Sequence, residues 1–336
     1  MQTVKLTDNI EGITSAAEIL KEGGVVAIPT ETVYGLAASA YNDSAVYKVF
    51  AAKGRPQDNP LIVHISDMDM LNEVAGEVSN KAKILAENFW PGPLTLVLLK
   101  SEKIADSVSC GLNTVAVRMP SNEVARQIIK VAGLPLAAPS ANLSGSPSPT
   151  SAAHVIDDLD GRIDGIVVSG DCEVGVESTV VTLATNPPRL LRPGYITAEQ
   201  LRKFLPDLII DKAVLAEPEN DEQVASPGMK YKHYSPKTQV ILVEGDSTSF
   251  AEYVNKRGNS AAIVFSEDVD KIKIQSLCYG GEKDEKTQAQ TLFALLRKAD
   301  DLGVDSVYVH APQKNGISLA VYNRLIRAAA FKVIKL

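Results

Sequence analysis

Hydrophobic positions along the chain fall into two patterns that alternate. Short unbroken apolar runs predict buried strands over 25–28, 61–65, 94–99, 114–118, 135–138, 165–168, 179–183 and 189–191. Between several of them, apolar residues recur at helical spacing and predict amphipathic helices over 13–22, 43–53, 79–88, 121–132, 151–158 and 197–204. In the second of these, Val46, Val49 and Phe50 line one face, Asp43 or Ser44 caps the start and Gly54 ends it. Gly23-Gly24 stops the first helix, and Pro29 breaks the strand that follows. Several strands succeed one another with no helix between them, so the sheet is expected to be mixed rather than purely parallel.

The pattern changes after about residue 210. Residues 213–225 are acidic and carry little periodicity, and Ser226-Pro-Gly-Met-Lys-Tyr-Lys-His-Tyr-Ser-Pro236 is basic and aromatic. Together they read as a linker with a functional second half. A regular alternation then restarts: strand 239–243, helix 248–257, strand 261–265, a weaker strand at 273–277, helix 286–302, strand 305–309 and helix 316–329. The expectation is an α/β protein with a catalytic domain over 1–211, a linker over 212–236 and a smaller three-layer, Rossmann-like domain over 237–336.

Composition narrows the function. A chain of 336 residues with 45% hydrophobic and 22% charged residues has material for two cores. Its net charge of −7 argues against a global electrostatic claim on nucleic acid or membrane, so any basic site must be local. Aromatic residues make up only 5%, which weakens any reading that needs base-stacking platforms. The three cysteines, Cys110, Cys172 and Cys278, are far apart and form no C-x-x-C. The opening residues lack a basic and then apolar leader, and no apolar run approaches membrane-spanning length, so a reducing cytoplasm is the expected setting.

Common signatures are absent. The nearest approach to a phosphate loop, Gly170 to Gly175, has Val176 in place of the lysine, with Asp171 and Glu173 that would repel a phosphate. There is no G-x-G-x-x-G after a strand, no H-E-x-x-H and no G-x-S-x-G. What remains is a recurrence of cations, hydroxyls and amides near strand ends. Pro29-Thr-Glu-Thr-Val-Tyr-Gly-Leu36 offers the hydroxyls of Thr30, Thr32 and Tyr34. Lys53-Gly-Arg55-Pro-Gln-Asp-Asn59-Pro puts a point charge beside a forked one on a stiff loop, a combination suited to a polyphosphate. The same cations could instead satisfy the negative end of a helix dipole. A lone strand histidine such as His64 is more often structural than catalytic. Arg118 ends one strand, Ser140 and Asn142 follow another, Ser178 begins a third, and Arg192 ends a fourth. In α/β sheets ligands bind outside strand ends, which places a crevice there. With no nucleophile–base pair in view, the chemistry suggested is positioning and charge stabilisation.

Taken together, Ile28 to Leu36, Lys53 to Leu61, Phe89-Trp-Pro-Gly-Pro-Leu-Thr95, Ala138-Pro-Ser-Ala-Asn142-Leu-Ser-Gly145 and Leu190-Leu-Arg192-Pro-Gly194 resemble the YrdC/Sua5 family of threonylcarbamoyl-AMP synthases, over roughly residues 10–205. The resemblance continues through Ser226–Pro236 into the second domain, which marks the two-domain Sua5 type. It implies synthesis of L-threonylcarbamoyl-AMP and pyrophosphate from L-threonine, bicarbonate and ATP with Mg2+, for t6A modification by tRNA threonylcarbamoyl-transferring machinery. It further implies that Thr32, His64, Arg118, the Ala138 backbone and Ser178 surround threonine. Lys53, Arg55, Asn59, Thr114, Ser140, Asn142, Ser148 and Arg192 would meet ATP, with Lys53 and Arg55 as the catalytic cations. Ser226, Lys230, Tyr231, His233 and Tyr234 would belong to a lid. Two rivals are a non-catalytic RNA-binding module, disfavoured by charge and composition, and carbamoyl-adenylate chemistry on a related domain.

Overall fold

The computed structural model describes residues 2–216 and 234–336. Short polar side chains start most of its helices by accepting a free backbone N–H of the first turn. Asn9 caps α1 (Ile10–Lys21), Asn42 α2 (Asp43–Lys53), Asp67 α3 (Met68–Val74) and Ser79 α4 (Asn80–Phe89). After the short, uncapped α5 (Asp106–Ser109), Asn122 caps α6 (Glu123–Ala132), Ser151 caps α7 (Ala152–Leu159), and Thr197 forms a capping box on α8 (Ala198–Arg202). Gly54 ends α2 at φ 62°, a left-handed conformation that a residue with a Cβ adopts only at a cost.

The described residues divide into two compact units, one holding 2–144, 148–173 and 177–216, the other 145–147, 174–176 and 234–336. Residues 145–147 and 174–176 cluster with the second unit, where Arg297 donates to the Pro147 carbonyl at 2.6 Å and Ser235 to the Gly145 carbonyl at 2.9 Å.

In the first unit the strands are β1 (Val4–Thr7), β2 (Val26–Ile28), β3 (Gly35–Ser39), β4 (Ile62–His64), β5 (Leu94–Leu99), β6 (Thr114–Arg118), β7 (Leu136–Ala137), β8 (Gly165–Val168), β9 (Thr179–Thr182), β10 (Arg189–Arg192) and β11 (Ile209–Ile210). They form one mixed sheet in the order β1-β8-β2-β3-β7-β4-β6-β5-β9-β10-β11. Strand β3 was not predicted. Its sequence, Gly-Leu-Ala-Ala-Ser, has weak β-propensity, and pairing to β2 and β7 on either side makes it a strand. Edge strand β1, helix α3 and the short α5 and β11 were also not predicted.

Side chains alternate between the two faces of this sheet. One face carries Val63, Val117, Leu96, Leu98 and Val181, packed with Phe50 of α2, Leu71 of α3 and Leu85 of α4 in the main core. On the other face α1 and α6 set Ile13, Leu20, Ile128 and Ile129 against Val26, Ile28, Leu136 and Ala138. Farther across that second face, Ile62, Ala116, Val97, Val180 and Leu191 form a small separate apolar cluster. His64, Arg118 and Thr95 lie two residues from Ile62, Ala116 and Val97, so they point from this same face.

The second unit is built on β12 (Gln239–Glu244), β13 (Ser260–Val264), β14 (Gln275–Cys278), β15 (Ser306–His310) and β16 (Val333–Lys335), with α9 (Ser247–Val254), α10 (Glu285–Lys298) and α11 (Ser318–Ala328) between them. Every neighbouring pair is parallel, in the order β14-β13-β15-β12-β16. No described helix is long and apolar enough to cross a membrane.

Candidate active site

The polar end of the sheet's second face is organised around Arg118, the last residue of β6. Its guanidinium is buried; Nη1 donates to Thr32 Oγ1 at 2.8 Å, and Nη2 stands 2.7 Å from Glu31 Oε2. Nε reaches the Gly92 carbonyl at a longer 3.4 Å. Thr32 is held in turn by Thr30, whose hydroxyl lies 2.9 Å from that of Thr32 and 2.6 Å from the Val33 carbonyl it donates to. The Pro29–Gly35 segment thus folds as a hydroxyl-rich turn between β2 and β3. Burial is the largest influence on the Glu31 carboxyl and by itself would raise it, but the charge and hydrogen bond of Arg118, together with backbone N–H groups at Ser121 and Glu31, outweigh it and hold the group below its ordinary range. Glu31 is a buried partner of Arg118 that the sequence does not single out. The signal was a carboxylate between two threonines in a motif already singled out.

His64 pairs in register with Arg118 across β4 and β6. Burial, reinforced by the neighbouring Arg118 charge, pushes its imidazole down to about 3, so it is neutral at physiological pH. Its Nδ1 lies 3.2 Å from the Ile62 carbonyl, which can only accept, so this contact calls for the proton on Nδ1. Ala138 sits beside Ile62, to whose carbonyl its amide donates at 2.9 Å.

Ser178 and Arg192 meet on the adjoining strands. Arg192 donates from Nε to the Ser178 carbonyl at 3.0 Å and from Nη2 to its hydroxyl at 3.1 Å. Gly194 makes this possible, because a Cβ there would stand 2.4 Å from the Thr179 nitrogen. Thr95, buried on β5, lies 2.7 Å from the same Ser178 hydroxyl. Thr95 and Arg118 flank the paired Leu96 and Val117, so the Ser178–Arg192 cluster borders the Arg118 cluster. Nearby in sequence, the buried Ser148 hydroxyl donates to Glu177 at 2.5 Å.

Lys53 behaves differently from a free phosphate ligand. Its ammonium, at the end of α2, donates to the Ser140 carbonyl at 2.5 Å, the Asn142 carbonyl at 2.6 Å and Asn142 Oδ1 at 3.3 Å, and the residue is 2% exposed. These contacts tie Lys53 to the loop that carries Ser140 and Asn142. Ser140 in turn donates to Asn142 Oδ1 at 2.5 Å. Arg55 reaches the carbonyls of Asn59 and Pro60 at 3.2 and 3.4 Å, and Asn59 is buried. Thr114 opens β6 at the opposite end from Arg118, beside a cavity of about 700 Å3 that Val97, Asn113, Thr182 and Leu191 also line.

Of the lid residues, Ser226, Lys230, Tyr231 and His233 lie outside the described residues. Tyr234 belongs to the second unit. It is buried at φ 64°, with its ring 5.2 Å from that of Phe293. His64, Arg118 and Arg192 are the last residues of β4, β6 and β10, so all three stand at strand ends. His64, Arg118 and Thr95 project from a sheet face, because α1 and α6 cover only the β1–β7 side of it. Among the described residues, no three His, Cys, Asp or Glu side chains are grouped to hold a metal ion.

A family model described as telomere recombination, the Sua5–YciO–YrdC domain, matches residues 18–194. A second, described as the threonylcarbamoyl-AMP synthase C-terminal domain, matches residues 196–330. The chain is 43% identical over 331 residues to the threonylcarbamoyl-AMP synthase of Pyrococcus abyssi, covering 96% of this chain and 95% of that one. It is 44% identical over 341 residues to that of Bacillus subtilis, covering 99% and 97%. The solved structure of P. abyssi Sua5 complexed with L-threonine superposes at a TM-score of 0.90 with 40% identity, covering the whole of both chains.

Proposed function

The chain belongs to the threonylcarbamoyl-AMP synthase family in its two-domain Sua5 form, and from that premise we propose that it makes L-threonylcarbamoyl-AMP and pyrophosphate from L-threonine, bicarbonate and ATP. The product would pass to tRNA threonylcarbamoyl-transferring machinery for t6A formation. The observation that carries this reading is the buried Arg118, aimed from the sheet face with neutral His64 beside it and the Ser178–Arg192 cluster adjoining. A guanidinium in that setting takes the carboxylate of an amino acid, and the family's solved complex with L-threonine supports threonine as that amino acid.

Thr32, His64, the Ala138 backbone and Ser178 then enclose the rest of threonine. Withdrawal from water lowers the pKa of its amine and favours the neutral form that attacks the bicarbonate carbon, the bicarbonate hydroxyl leaving with an amine proton as water to give the carbamate. Arg192 stands at the border where the carbamate oxygen would approach the α-phosphorus in line, as pyrophosphate leaves on the far side. Arg55, Asn59, Thr114, Ser140, Asn142 and Ser148 would hold the rest of the nucleotide. Lys53 serves by setting the Ser140–Asn142 loop. Mg2+ belongs in this scheme to the ATP phosphates and enters as part of the substrate.

Purified protein supplied with threonine, bicarbonate and MgATP should release pyrophosphate, and omitting any one of the three should abolish it. No release with all three present, or equal release with carbamoyl phosphate in place of threonine, would remove this assignment.

A further inference from the structure

We propose that Thr95 is a positioning residue that couples the threonine and nucleotide halves of the site through the hydroxyl of Ser178. The inference rests on the function read above. Thr95 is fully buried on the same sheet face as Val97 and Val180, where a valine would fill its volume without a polar atom to satisfy. A buried hydroxyl at such a position is costly unless it is bonded, and this one is bonded to a side chain of the site.

Donor arithmetic gives the contact its meaning. Arg192 can only donate, so Ser178 Oγ accepts from Arg192 Nη2 at 3.1 Å. The second partner of Ser178 Oγ is Thr95 Oγ1 at 2.7 Å. With Thr95 as donor, Ser178 receives two hydrogen bonds, and its own hydrogen is left to point at a ligand acceptor. The same serine fixes the guanidinium twice, through its carbonyl and its hydroxyl. The rotor of Thr95 therefore governs both the donor offered to the amino acid and the seat of the cation offered to the nucleotide.

The test compares the full chain with Thr95→Val, which removes the hydroxyl at constant volume, and Thr95→Ser, which keeps it. Threonine binding is measured by calorimetry with and without a non-hydrolysable ATP analogue, beside pyrophosphate release and a melting curve. Thr95→Val should weaken threonine binding by about tenfold, the worth of one hydrogen bond, and should abolish any effect of the analogue on that binding. Thr95→Ser should stay within about threefold of wild type. Wild-type affinity and coupling in Thr95→Val would overturn the inference, as would equal impairment in Thr95→Ser, which would assign the effect to packing of the methyl group. If Thr95→Val does not fold, Thr95→Ala against Thr95→Ser makes the same comparison. A wild-type chain that releases no pyrophosphate overturns the functional reading and this inference with it; an active wild type beside an unaltered Thr95→Val overturns the inference alone.

Discussion

Replacing Glu31 with alanine should destabilise the first unit by about 3–5 kcal/mol, the usual cost of leaving one member of a buried ion pair without its partner. Both residues are 4% exposed at the side chain, and Glu31 Oε2 lies 2.7 Å from Arg118 Nη2, so solvent screening cannot absorb the orphaned charge. Against a typical whole-domain stability of about 5–15 kcal/mol, such a loss is large. Urea unfolding followed by tryptophan fluorescence reads it directly. The chain has a single tryptophan, Trp90, buried in the first unit two residues before Gly92, whose carbonyl Arg118 approaches. The signal therefore reports this unit without interference from the other. Replacing both partners, Glu31→Leu with Arg118→Met, should be less destabilising than Glu31→Ala alone, because no buried charge is left over. The sign of the pH dependence follows from the depressed carboxyl of Glu31. Its contribution is complete above the ordinary value of 4.5 and disappears as pH falls through the lower folded value, so Glu31→Gln should flatten the acid limb of the stability curve. A loss below about 1 kcal/mol in Glu31→Ala, with unchanged urea sensitivity, would refute the argument, since that is the range of an exposed pair.

Three further outcomes are expected. Lys53→Ala should lower the Trp90 unfolding midpoint by the equivalent of about 2–4 kcal/mol and abolish pyrophosphate release, because it strips the Ser140–Asn142 loop of a buried ammonium. Arg55→Ala should reduce release by about 100-fold, the scale of losing one charge-stabilising donor, with the midpoint nearly unmoved; a matching loss of stability would make Arg55 structural. In the second unit, His310 donates from Nδ1 to Asp268 at 2.6 Å and from Nε2 to the Gly245 carbonyl at 3.0 Å, and stacks on Phe250. Burial is the largest influence and opposes the charged imidazole, but the Asp268 and Gly245 hydrogen bonds and the charges of Asp268 and Glu282 together raise its pKa above 6.5. Its stabilisation is therefore complete below 6.5 and lost as pH rises through the folded value; amide exchange along β15 should speed up over that interval in wild type and show no such step in His310→Gln.

The sequence by itself determined most of the elements and the chemistry on offer. Periodicity placed the helix over 43–53 at the span the structure has, and located β5 and β6 to the residue, since side-chain period and capping are local properties of the backbone. The family motifs likewise lie in the chain and needed no coordinates to be seen. Strand β3 escaped because alanines carry no strand signal of their own, and only pairing to β2 and β7 makes it one. Tertiary structure alone decided that Arg118, His64 and Thr95 share a sheet face. That depends on strand order and register, and on how far α1 and α6 extend over the sheet. It alone showed Glu31 against Arg118, 87 residues apart in the chain, and Lys53 turned toward a loop 87 residues away rather than toward an open cleft. Such pairings follow from burial, which sets a charged group against whatever partner the fold brings to it, and no local pattern in the chain encodes that choice.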